Sequence, residues 1–190
     1  MKFTAGISAI LVLASTAAAG VVSLDARDLP SEGTCIGYAK LSGIHKFTRG
    51  WSPACSVISR DCNKKLKDTV FVWSKTSCVA AATCESPESV VQFARCPGGN
   101  QAIPELSAVS PLSTNIYRNI VGPCADQGCP ITQQNYVDFI YSSLSAVNST
   151  QWPELIDVES WWRSMKEWTN TGETIPYANF NDLLHYRTDY

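Results

Sequence analysis

Histidine is scarce: His45 and His185 are the only two in 190 residues, so few side chains can take up and release a proton near neutral pH. Also absent are a G-x-S-x-G elbow, an H-E-x-x-H pair and a phosphate-binding P-loop. Serine-hydrolase, zinc-protease and nucleotide-binding readings thereby lose their usual signatures. No two cysteines stand in C-x-x-C spacing, which removes the common zinc knuckle, and neither a metal nor a cofactor is expected. Net charge is only -2, too weak a field to favour nucleic acid or an anionic membrane surface. There is no internal repeat. The final stretch LLHYRTDY is polar, unlike the hydrophobic tail that a lipid anchor added at that end requires.

What the chain does have is an apolar start and many cysteines. Met1-Lys2 leads into an apolar run that ends in Ser15-Thr16-Ala17-Ala18-Ala19. Such a run is short for a membrane span, and the small residues fit an A-x-A cleavage site. Residues 1–19 are therefore expected to be a secretory signal peptide. Residues 20–31 form a polar leader, either a loose N-terminus or a pro-segment, although no dibasic pair marks a cut. The remaining residues, 32–190, suit a single domain. All eight cysteines lie there: Cys35, Cys55, Cys62, Cys78, Cys84, Cys96, Cys124 and Cys129. An even number in an exported chain implies disulfides, with far too many possible connectivities to assign pairs. Cys78/Cys84 and Cys124/Cys129 are close enough for local loops.

The domain divides into a cysteine-dense half and a helical half, separated by CPGGNQAIPELSAVSPLS. Thr69-Val70-Phe71-Val72-Trp73 is β-branched and aromatic, which predicts a buried strand with Cys55–Ser59 as a candidate partner. Ser86-Pro87-Glu88 predicts a helix start, with Ser86 as N-cap, and the helix should stop before Pro97-Gly98-Gly99. Thr132 is the expected N-cap of a largely buried helix over 136–147, whose polar strip is Asp138, Ser142 and Ser145. It leads into Asn148-Ser149-Thr150, an N-glycosylation sequon expected to face solvent.

The stretch ESWWRSMKEWTNTG, residues 159–172, concentrates three tryptophans. On a helical wheel Val158, Trp161, Trp162, Met165 and Trp168 fall within about 120°, opposite the charged residues. They predict a core face rather than a sugar platform, with Asp157 as N-cap and Gly172 beyond the helix end.

Three kinds of chemistry remain. His45 with Lys46 and Arg49, and His185 with Arg187, would suit the acid, base and phosphate contacts of a small ribonuclease. Glu154, Asp157, Glu159, Glu173 and Asp182 form a carboxylate pool for a glycosidase, but helix-end and solvated roles account for most such residues. Binding a carbohydrate needs only an aromatic face and a few amides or carboxylates. The segment 174–182 offers Tyr177, Asn179, Asn181 and Asp182. Trp51 and Trp152, in Gly-Trp-Ser-Pro and Gln-Trp-Pro contexts, are loop tryptophans less easily assigned to a core, and Trp51 is the preferred stacking ring.

Four strings, ISRDCN (58–63), SCVAAATC (77–84), GCPITQQNYVDFIY (128–141) and IPYANFNDLLHY (175–186), resemble the small, disulfide-rich glycan-binding lectins of basidiomycete fungi. The resemblance covers about residues 33–188. The founding member of that group recognises fucosylated LacdiNAc glycans and folds as an α/β/α sandwich. It thus implies an α+β, single-domain α/β/α sandwich, in keeping with strands in the first half and helices in the second. The expected function is secreted, non-covalent, lectin-like glycan binding without catalysis. Its partners would be glycans or glycoproteins, with no nucleic acid and no membrane insertion. A secreted hydrolase using His45 and His185, or a protein-targeting effector, is the alternative.

Overall fold

The computed structural model describes residues 29–45 and 50–186. The expected signal peptide and residues 20–28 of the leader lie outside the described residues. Among the described residues eight α-helices follow in order: α1 Glu32–Leu41, α2 Pro53–Lys65, α3 Thr76–Cys84, α4 Pro87–Ala94, α5 Thr114–Val121, α6 Gln133–Ala146, α7 Leu155–Thr169 and α8 Tyr177–Leu184. Short 3-10 turns occupy Val72–Ser74, Leu106–Ala108 and Gly122–Gln127.

The expected α/β/α sandwich is therefore incorrect. Among the described residues β-pairing is limited to two isolated bridges, Ile44 with Trp51 and Ile131 with Ile175, and there is no sheet. Periodicity explains the error. Cys55, Ile58, Ser59 and Cys62 are buried along one face of α2, a helical spacing that leaves no partner strand for 69–73. In that segment Val72 and Trp73 turn inward from a 3-10 turn while Phe71 stays exposed.

Helix α3 is the centre of the fold. Eight of its nine residues, Ser77 through Cys84, are buried, as expected for a helix apolar on all sides. It contacts α2, α4, α6 and α7. Its alanines permit close approach, and two disulfides join it to the antiparallel α2: Cys55–Cys84 and Cys62–Cys78, with Cα separations of 5.9 and 4.7 Å. A local Cys78–Cys84 loop is excluded because six residues of helix rise about 9 Å, beyond the span of a disulfide. The third bridge, Cys35–Cys96, ties α1 to the residues after α4. Helix α1 buries none of its residues. Chain order nests the bridges, 62–78 inside 55–84 inside 35–96.

Cys124 and Cys129 depart from the expectation that all eight cysteines are bridged. They are thiols, Cys124 within the 3-10 turn Gly122–Gln127 and Cys129 just after it, where Cys129 N donates to Cys124 O at 3.3 Å. A hydrogen bond with Cys124 pushes the Cys129 thiol above its usual range.

Helix starts follow their caps. Ser52 accepts from Cys55 N and Ser86 from Ser89 N, each followed by proline. Thr132 and Asn135 form a full capping box. Helix α4 ends at Ala94, and Gly99 is required just beyond it, since a Cβ there would lie 2.2 Å from Ala94 O. The segment 101–113 is no spacer: Ile103, Leu106, Val109 and Leu112 enter the same core as both halves.

The tryptophan stretch forms α7, with Val158, Trp161, Trp162 and Met165 buried and Trp168 half-buried against the core. The helix starts earlier than Asp157, which sits in its first turn, and Glu154 occupies the N-cap position without a side-chain bond. Trp162 stacks on Tyr136 of α6, with centroids 5.7 Å apart. The Tyr136 hydroxyl bonds Thr83 of α3 at 3.1 Å, and burial raises its pKa.

Candidate functional site

The 174–182 segment is mostly helix α8 rather than a loop, and it divides the expected binding residues between two faces. Tyr177 and Asn181, four residues apart, share the inner face. The Tyr177 hydroxyl donates to Leu112 O at 2.6 Å, and Asn181 Oδ1 accepts from Leu112 N at 2.9 Å. Tyr177 also meets Tyr117 edge-on, with centroids 5.0 Å apart. Both residues thus clamp the 112 segment. Asn179 is half-buried and Asp182 exposed, on the other face of the helix, so the Asn179 amide and the Asp182 carboxylate do not converge with the tyrosine ring. Asn179 lies within α8, with Pro176 at the N-cap position.

Trp51 is 65% exposed, yet its backbone is fixed. Ser52 N donates to Gly43 O at 2.7 Å and His45 N to Gly50 O at 2.9 Å, closing the base of a loop whose near side is Ile44. Gly43 has φ +86°, and a Cβ there would come within 3.1 Å of the indole Nε1 and 2.8 Å of Ser52 O. Only glycine lets the chain pass beneath the ring at this φ. Glu85, at the end of α3, holds the loop from below: its buried carboxyl accepts from Gly43 N and, at 3.3 Å, from the Ser42 hydroxyl. Burial pushes the Glu85 pKa up, with the bonds from Gly43 and Ser42 working against that shift.

Trp152 is 53% exposed and stacks on Tyr141 of α6, with centroids 6.2 Å apart and planes at 21°. The Tyr141 hydroxyl donates to Pro153 O at 3.1 Å, fixing the pair as a shelf. Asn148 is exposed just beyond α6, as is the polar strip Asp138, Ser142 and Ser145. Tyr141 and Glu85 are the residues that sequence reasoning passed over. Glu85 carries a weak signal, as an acid between an apolar helix and the Ser-Pro start of the next. Tyr141 carries none beyond its place on an apolar helix face.

The two histidines occupy separate aromatic settings. His185 Nδ1 lies 2.7 Å from Asn181 O and its Nε2 3.0 Å from Val109 O, while its ring meets the edge of Trp73. Backbone carbonyls thus occupy both nitrogens that ribonuclease chemistry would use. His45 is 1% exposed and stacks on Trp161 at 6.3 Å. Burial lowers its pKa from 6.5 to about 4. The unfolded chain therefore binds a proton between those values that the folded chain refuses, and stability falls as pH drops through this window by up to about 3 kcal/mol. Glu85 acts in the opposite sense: its raised pKa gives stability that is present below 4.5 and lost as pH rises through the folded value. Urea midpoints of wild type and His45→Phe at pH 7 and pH 4.5 check the histidine share. The variant should lose less stability on acidification, and an unchanged pH slope would assign the acid sensitivity to other groups.

Elsewhere, Arg95 is fully buried and bonds Glu105 at 2.8 Å and Gln92 at 3.3 Å, so it serves the core. A cleft of about 230 Å³ opens among Asn63, Lys67, Phe93, Cys96 and Pro97–Gly99. It is small for a ligand pocket and contains none of the expected site residues. Among the described residues no group of acidic, histidine and cysteine side chains is arranged to hold a metal, and no helix is long and apolar enough to cross a membrane.

No protein-family model, no curated protein and no solved structure matches the chain.

Proposed function

We propose that this is a secreted glycan-binding protein that holds its ligand without covalent chemistry, with Trp51 as the stacking ring. The observation that carries the reading is an indole two-thirds open to solvent on a loop locked from behind by Gly43 and Glu85. A pre-organised ring loses little entropy when a pyranose packs its C–H face on it. Export is supported by the signal-like N-terminus and by three disulfides, which persist in oxidising compartments. The four sequence strings that resemble basidiomycete lectins favour the same function, although the helical fold is not the sandwich that the resemblance implied.

A glycan array spanning fungal, plant and animal structures tests it. Trp51→Ala should weaken binding about tenfold or more, while stability changes by less than about 1 kcal/mol because the ring is exposed. Absence of signal for every glycan class with folded protein would overturn the reading. A protein partner is the second reading, favoured by the neighbouring exposed side chains Leu155 and Ile156 at the start of α7. That surface would then be tested next.

A further inference from the structure

The Trp152–Tyr141 shelf is an exposed aromatic surface that the Trp51 site does not use, and the sequon beside it supplies an occupant. Asn148 stands just past the end of α6 with φ 50°, its N–H bonded to Ser145 O at 3.0 Å and its side chain in solvent. The next residue reverses the chain. Ser149 N donates to Leu144 O at 3.0 Å, and its hydroxyl donates to Gln151 O at 2.6 Å while accepting from Gln151 N at 3.1 Å. That turn lays residues 151–153 back along α6, so that Trp152 meets Tyr141, two helical turns before Asn148. Asn148 and Trp152 are four positions apart, a Cα distance of at most about 14 Å, which the first few rings of a glycan cover.

We infer that Asn148 carries an N-linked glycan whose first N-acetylglucosamine residues lie along the outer face of Trp152 and the Tyr141 edge. The modification joins the Asn148 carboxamide nitrogen to the anomeric carbon of a polyprenyl-pyrophosphate-linked oligosaccharide. The bond from that carbon to the pyrophosphate oxygen breaks, the pyrophosphate leaves with the electron pair, and the amide gives up one proton to solvent. The attached sugar then offers its C–H face and N-acetyl methyl to the indole, and Gln151 lies beside it as an amide partner. The sugar that Trp152 meets is thus the chain's own. The inference needs export but not the Trp51 site, so each can fail without the other.

The test is the full chain secreted from a eukaryotic host, compared with Asn148→Gln and with Thr150→Ala, which removes the sequon but keeps asparagine at the left-handed position. Peptide mass spectrometry reads occupancy, and hydroxyl-radical footprinting reads oxidation of Trp152 with Trp51 as internal reference. The expected result is a glycan on Asn148 of wild type only, with Trp152 oxidised several-fold less in wild type than in either variant and Trp51 oxidised equally in all three. An unmodified Asn148 in the secreted protein overturns the inference. So does an occupied Asn148 with Trp152 oxidised as fast as in the variants. Loss of array binding on Trp51→Ala has no bearing on either outcome.

Discussion

Full reduction of the three disulfides is expected to unfold the chain at neutral pH, and the bridges should break in order. They close loops with sequence separations of 61, 29 and 16 residues, for which chain entropy assigns about 4.3, 3.6 and 3.1 kcal/mol. Nesting makes the combined effect smaller than the sum, but it remains comparable with the roughly 5–15 kcal/mol total stability of a domain. Access sets the order. Cys55, Cys62, Cys78 and Cys84 are all buried, whereas Cys35 is half-buried on a helix that contributes nothing to the core. Mild reductant should therefore open Cys35–Cys96 first and release α1, leaving the far-UV spectrum of the other helices in place. The inner pair should yield only on global unfolding. Alkylation with mass mapping along a reductant titration checks this, and simultaneous loss of all three bridges would refute it.

Trp162→Ala should cost about 3–5 kcal/mol, read as a lower denaturant midpoint at unchanged slope. Its indole is 2% exposed and closes a stack through Tyr136 to Thr83, linking α7, α6 and the central α3. Among the described residues the Trp162 Nε1 has no hydrogen-bond partner, so Trp162→Phe removes an orphan donor together with some volume. It should lose distinctly less than the alanine variant. Trp161→Ala belongs in the same range, since Trp161 is 3% exposed and carries the His45 stack. A loss below about 1 kcal/mol for Trp162→Ala would mean that α7 is not seated as described.

Local structure is legible in the sequence where one residue decides it. Ser86-Pro87 and Thr132 start the helices they were expected to start, and the period of 158, 161, 162 and 165 placed the tryptophans inside. Fold class was not legible because composition competed with periodicity. Residues 69–73 have strand chemistry, but a strand needs a neighbour, and the neighbouring cysteine segment repeats at helical spacing. Disulfide pairing was hidden for a related reason: Cys78 and Cys84 look adjacent until a helix separates them. Of the expected binding residues, Trp51 and Trp152 are exposed, while Tyr177 and Asn181 are spent on Leu112, a residue 65 and 69 positions away. No local pattern encodes a partner that distant.

The nested bridges also bear on how the chain must be made. During synthesis from the N-terminus Cys35, Cys55 and Cys62 appear before any of their partners, and the first correct partner to emerge, Cys78, belongs to the most recent of the three. Pairing runs last in, first out. Three thiols must wait in an oxidising environment, each able to bond wrongly with the others, until the α3 segment arrives. Yield from any host will follow how well its isomerases correct the premature pairs among those three, more than the stability of the finished fold.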